Sequence, residues 1–388
     1  MPKLAIVATI TVCLAIGGVV ISPNSQAELI AEPIPSVLQL PAAYPDSLLF
    51  VHDTNFDALI AGRIVLVDVA ATTRNYLGAL DAAQFASFVE SRRKGELYVT
   101  ETFYSRGTRG KRTDLLTIHD KSSLAPIAEL ELPGGKRALV VSHRYTLQLV
   151  DNDQFLLVYN FTPAASVTVI DIDQRAILNE LPIPGCGLIY PSGRRGFSSL
   201  CSNGSLYTVQ FDEQGEPLSQ YRLPPFFNVD EDPLFDKPVY SDGRAWFASF
   251  KGGLQAVDFS KQIPEIGDRW SLLSPEDREE NWRPGGWQIA TLSDQGLLHV
   301  LMHPQGFDGS HKSGGSEVWV FDLAGRQRLK RIRLREWGVS IEVTRGEEPY
   351  LVVTNGEMQL DIYAAQSGNW LKTIGGVAAT PFNLHARR

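Results

Sequence analysis

Seven times along this chain a short apolar strand ends in a turn, each time in nearly the same form. The segments are IVLVDVA from Ile64, LLTIHDK from Leu115, VTVIDID from Val167, LYTVQFD from Leu206, LQAVDFS from Leu254, VWVFDLA from Val318 and QLDIYAA from Gln359. Their starts lie 51, 52, 39, 48, 64 and 41 residues apart. A unit of roughly 40–50 residues built from strands marks a radial array, in which each sheet buries its faces against its neighbours.

Within a unit the pattern predicts three or four antiparallel strands. The third is the clearest: Thr146–Asp151, Phe155–Phe161, Ser166–Ile172 and Ala176–Ile183. The outer strands alternate apolar and polar residues, whereas the two central ones are almost wholly apolar, as strands buried on both faces must be. Turn residues separate them, as in Glu-Gln-Gly at 213–215 and Gln-Ser-Gly at 366–368. One short helix is expected at SPEDREEN, Ser274–Asn281, from its serine cap, following proline and acidic first turn. The expected architecture is all-β: a seven-bladed β-propeller in one closed ring over residues 46–388. Before Ile64 only SLLFVHD reads as a strand, and TPFNLHA is left over near the C-terminus. A strand from one end completing the blade begun by the other would remove the free edges. The longest step holds SPEDREENWRPGGW and HPQGFDGSHKSGGS, insertions that map to loops on a binding face.

The first residues change the picture of where the protein works. Leu4–Ile21 carries no charge, follows Lys3 and leads into SPNSQA. That reads as a signal peptide over 1–27, with an extended segment over 28–45, and therefore a periplasmic protein. An uncleaved membrane anchor is the alternative. Removing Cys13 with the signal leaves Cys186 and Cys201, a pair read as a disulfide in an exported protein or otherwise as two buried thiols. The formal charge is 36 − 44 = −8, with no long basic run, which argues against nucleic acid as a partner.

Candidate chemistry is sparse. The seven histidines are scattered, none in a HExxH arrangement. His299 and His303 share a strand face about 13 Å apart, too far for one metal. There is no Gly-x-Ser-x-Gly elbow and no phosphate loop, and acidic neighbours such as Asp230 and Asp232 read as solvated loops. No catalytic residue and no metal site is expected on this chain.

The block Trp282-Arg283-Pro284-Gly285-Gly286-Trp287-Gln288, preceded by LSPEDREE, resembles the heavy chain of methylamine dehydrogenase and related quinoprotein amine dehydrogenases. SRGTRGKRTDLLTIHD, AELELP and LPIPGCGLIYP with FSSLCSNGSL extend the resemblance in order. It implies a seven-bladed heavy subunit without a cofactor, in a periplasmic heterotetramer of two heavy and two light chains. The light chain would carry tryptophan tryptophylquinone, oxidise a primary amine to aldehyde and ammonia, and pass electrons to a blue-copper protein such as amicyanin or azurin. The heavy chain would supply scaffold, docking surface and part of the substrate-channel wall. By the same resemblance Phe85 would be the channel phenylalanine, the alternative being a core phenylalanine that starts the next blade; Cys186 and Cys201 would form a disulfide, and Trp282, Arg283 and Trp287 would belong to a packed turn presenting an aromatic and a cation. Gly187 and Leu188 depart from the family, which has a histidine and an aromatic after the first cysteine. The region before the first blade is also short. These departures support the alternative of an orphan exported propeller, acting as a binding or scaffolding protein without a light chain. A hydrolase using an axial calcium or histidine site is a third reading, for which the sequence nominates no ligand set.

Overall fold

The computed structural model describes residues 39–388. The signal peptide expected at 1–27, its anchor alternative and the first part of the 28–45 segment lie outside the described residues.

The chain forms a β-propeller, built from antiparallel sheets that meet around one axis. In the third repeat the observed strands are Leu147–Val150, Phe155–Asn160, Ser166–Asp171 and Ala176–Pro182. Its two central strands are buried at every position, the physical counterpart of their unbroken apolar runs. Successive sheets touch through their axial strands: Ser87–Glu90 against Leu147–Val150, the latter against Cys186–Pro191, and Val239–Ser241 against Ala290–Leu292. The core is divided into clusters lying between neighbouring sheets. One of them packs Phe155, Val167 and Val169 against Ile189, Phe197 and Phe211.

The expected count of seven separate blades is corrected. The described residues form five four-stranded sheets and one eight-stranded sheet. The last two repeats are not separated by a turn, because Gln327–Val343 is one continuous strand of 17 residues. Its first part pairs with Gly315–Asp322 and its end pairs with Tyr350–Asn355. Between Ile332 and Ile341 the chain holds one glycine, Gly338, and no proline, asparagine or aspartate to end a strand. Gly338 pairs with Gly315 on one side and Asn355 on the other, so it carries the register from one repeat to the next. A Cβ there would lie 2.7 Å from Val353 Cγ1, which is why the crossing point has no side chain.

The two ends of the described chain share a sheet. Pro381–Ala386 pairs with Leu48–Asp53, Leu49 opposite Ala386 and Val51 opposite Leu384, and forms the axial strand of the sheet that the N-terminal strands began. Asp53, wholly buried, fastens the join: its carboxylate accepts from the backbone N–H of Asn55, Ala379 and Thr380 at 3.0, 3.0 and 2.8 Å. The helix at Pro275–Glu279 forms with a reciprocal capping box between Ser274 and Asp277.

Candidate functional site: an aromatic arc at the axial strand ends

The axial strands begin on one face of the ring, and the residues just before them gather around its axis. Phe85 precedes Ser87–Glu90, Trp287 precedes Ala290–Leu292, Lys237 precedes Val239–Ser241, and Phe382 lies at the start of Pro381–Ala386. Phe56 reaches in from the loop after Leu48–Asp53. Together they form a chain of aromatic contacts. The ring centroids of Phe85 and Phe56 are 6.4 Å apart, those of Phe56 and Phe382 5.2 Å, and those of Phe382 and Trp287 6.0 Å, the last pair stacked. Lys237 Nζ closes the arc 3.5 Å above the Trp287 ring.

Phe85 and Trp287 are held by polar anchors. Gln84 and Phe85 both take left-handed backbone angles, φ 41° and 52°, a costly conformation for consecutive non-glycine residues. Arg137 holds them there. Its buried guanidinium donates to Gln84 O and Phe85 O, each at 2.9 Å, and to Thr102 Oγ1 at 2.6 Å. All these acceptors are neutral, and burial lowers the Arg137 pKa to about 10. Trp287 Nε1 donates to Asn383 Oδ1 at 3.0 Å, and Asn383 Nδ2 donates to Ser142 O at 2.7 Å. Gly286, at φ 126°, lets the chain turn under Val339, whose carbonyl oxygen would stand 2.6 Å from a Cβ.

The electrostatics of the mouth are set by three residues. His143 Nε2 lies 3.2 Å from Asp236 Oδ1. Desolvation alone would raise the Asp236 carboxyl, but the His143 hydrogen bond and the charges of His143 and Lys237 outweigh it and hold the group down at about 2. Desolvation lowers Lys237 to about 8, against the pull of Asp236. Beneath the mouth the axis is filled. Arg144 donates to both Glu342 and the Leu384 carbonyl, Gln288 Nε2 donates to Glu342 and Leu384 O at 3.0 Å each, and Thr291 donates to Glu342 at 2.6 Å. The arc thus gathers aromatic rings with one ammonium and one His–Asp pair, groups able to bind a cation or an apolar chain.

The sequence-derived candidates separate in space. Phe85 and Trp287 both reach the mouth. Trp282, from the same motif, is buried instead against Trp319 at 5.0 Å, under the Arg331 guanidinium at 4.4 Å, with its Nε1 bonded to Glu280. Arg283 lies over Phe250 at 4.5 Å, so the cation of the motif packs on an internal aromatic. Pro284 is buried, and a Cβ on Gly285 would lie 2.8 Å from the His303 ring. Cys186 and Cys201 are bonded to each other across directly opposed positions of neighbouring strands. Just after Cys186, a Cβ on Gly187 would meet Tyr159 Oη at 3.2 Å, and Leu188 is left-handed at φ 64°. Among the described residues no group of three or more His, Cys, Asp or Glu is placed to hold a metal ion.

The family model for methylamine dehydrogenase heavy chain matches residues 48–384. The chain belongs to this family. Its relatives include the methylamine dehydrogenase heavy chain of Paracoccus versutus, 27% identical over 351 residues, covering 89% of this chain and 80% of that protein. The heavy chain of Methylophilus methylotrophus is 28% identical over 309 residues, covering 79% and 75%. Among solved structures, a putative 6-phosphogluconolactonase from Bacteroides fragilis NCTC 9343 superposes with a TM-score of 0.59 at 12% identity, covering 91% of this chain and 99% of that one. The Cps50 (Swd1) β-propeller domain of Myceliophteria thermophila gives 0.53 at 11%, covering 87% and 100%. At such identities the likeness shows the fold alone. In this methylamine dehydrogenase heavy chain relative, sequence reasoning missed Phe56, Phe382, Lys237 and the His143–Asp236 pair. None carries a local motif. The one available signal was position, since each lies at the entry to an axial strand or in the first long loop.

Proposed function

We propose that this chain is the heavy, cofactor-free subunit of a periplasmic quinoprotein amine dehydrogenase. Its partner would be a light chain bearing tryptophan tryptophylquinone, which supplies the oxidising chemistry for a primary amine and hands electrons to a blue-copper protein. The observation that carries the reading is the continuous aromatic arc from Phe85 to Trp287 at one end of the ring, in a chain of the methylamine dehydrogenase heavy chain family. On this chain those rings would wall the substrate path, exclude water from it and orient the approaching amine. The uncharged run Leu4–Ile21 and the Cys186–Cys201 bond support export to an oxidising compartment.

Purification of the chain from its host is expected to bring down a small quinone-bearing subunit and amine-dependent dye reduction. Neither should survive if the chain is an orphan. That second reading, an exported propeller without a light chain, is favoured by Gly187 and Leu188, which depart from the family beside the disulfide. A complex that lacks quinone yet retains a stable protein partner would support it.

A further inference from the structure

The Lys237–Trp287 contact is built like a filled binding site. The ammonium lies 3.5 Å above the indole centroid, closer than any other cation over a ring in the described structure. Among the described residues no carboxylate oxygen comes within 4.0 Å of that Nζ. The adjacent Asp236 gives its carboxylate to His143 instead. The indole is fixed independently of the lysine, by Asn383 at its Nε1 and by stacking on Phe382. It is half-buried. A rigid indole face with a second aromatic beside it and a carboxylate nearby recognises organic ammonium ions, through the ring quadrupole and partial desolvation.

We propose that the Trp287 face is a docking site for small primary ammonium ions, and that the Lys237 side chain occupies it as a tethered stand-in which the ligand displaces. A lysine side chain is itself a primary alkylammonium on a flexible four-carbon stem. The site therefore already holds the chemical group it would select. Lys237 is partly exposed and lies on the segment just before its strand, so displacement requires rotation of its flexible stem away from the ring. Occupation by the tether lowers the apparent affinity by the fraction of time the ring is free, so the lysine sets how readily cations collect at the mouth. This inference rests on the amine reading and gives it a first point of contact on the heavy chain.

The test uses the full chain labelled with 5-fluorotryptophan and followed by fluorine NMR, with the Trp287 resonance assigned through Trp287→Phe. The probes are methylammonium chloride and propylammonium chloride, against sodium chloride at equal ionic strength. In the Lys237→Met chain both organic cations should shift the Trp287 resonance saturably, with an affinity about tenfold above that of the unaltered chain. A Trp287 resonance that stays still in both proteins, or moves equally with sodium, overturns the site. Equal affinity in both proteins overturns the displacement. Should Lys237→Met fail to fold, Lys237→Gln replaces it, and titration of the unaltered chain decides alone: an unmoved Trp287 rejects the proposal. No light chain is needed. Cation binding without amine-dependent dye reduction in the native complex would therefore leave this site standing while the dehydrogenase reading falls.

Discussion

Arg137 is the residue on which the Phe85 side of the mouth depends. It ties two consecutive left-handed residues to Thr102 through hydrogen bonds inside a packed region, with the charges of Asp114 and Glu101 nearby. Truncating it takes the guanidinium donor from the Gln84 and Phe85 carbonyls, while the Thr102 hydroxyl keeps its bond to Asp114. Arg137→Leu should lower stability by about 2–4 kcal/mol, read as a shift of the urea midpoint. Arg137→Lys should recover only part of that, because a single ammonium cannot span the three acceptors. The buried histidines predict a pH response. Burial lowers His52 from its ordinary value of 6.5 to about 4, against the pull of Asp53. Burial likewise brings His299 to about 4, with Lys330 assisting and the Leu297 carbonyl opposing. Burial pushes His385 well below 6.5, and the charges of Arg144 and His52 push it further. Each is neutral when folded and takes up a proton on unfolding below pH 6.5. Their contribution is therefore complete above pH 6.5 and is lost as the pH falls towards 4, by on the order of 3 kcal/mol at most for His52 or His299. Thermal melts between pH 7 and pH 4 should show the fall, and a His52→Gln, His299→Gln double variant should flatten it.

Among the elements, the sheet from Cys186 to Leu223 is the one closed by a covalent link. Cys186 and Cys201 are directly opposed on its first two strands, 15 residues apart in sequence. Replacing both by serine should cost about 2–3 kcal/mol, since the link restricts a loop of that length in the unfolded chain. The same shift should follow from reduction of the unaltered protein, measured by denaturant unfolding with and without dithiothreitol. At this scale the sequence was largely legible. The four strands of the third repeat appear within a residue or two of where apolar runs and turn residues place them, and the Ser274 cap starts its helix. The eight-stranded sheet was not legible. A seventeen-residue strand with a glycine near its middle looks locally like two strands and a turn. The chain stays extended there because Gly315 and Asn355 offer pairing on both sides of Gly338.

At the scale of the whole molecule, the ring depends on its last strand. Pro381–Ala386 is the axial strand of the first sheet and receives the Arg144 and Gln288 bonds that cross the axis through Leu384. Ending the chain after Gly376 would expose the edge of Leu48–Asp53 and take the Ala379 and Thr380 donors from the buried Asp53 carboxylate. Such a truncation should abolish cooperative unfolding and drive the protein into aggregates, detected by size-exclusion chromatography and calorimetry. Removing Arg387 and Arg388 alone leaves the strand in place and should keep the protein folded.

Repeat length, strand order within a repeat, the cysteine pair and the resemblance across one ordered set of motifs were determined by the sequence alone. Each is written in apolar periodicity or in residues close together in the chain. The shared strand, the burial of Trp282 against the placement of Trp287 at the rim, and the meeting of Phe56, Phe382 and Lys237 were decided only by the tertiary structure. These residues come from distant repeats. Curling the sheets around one axis is what brings them within a ring's width of one another.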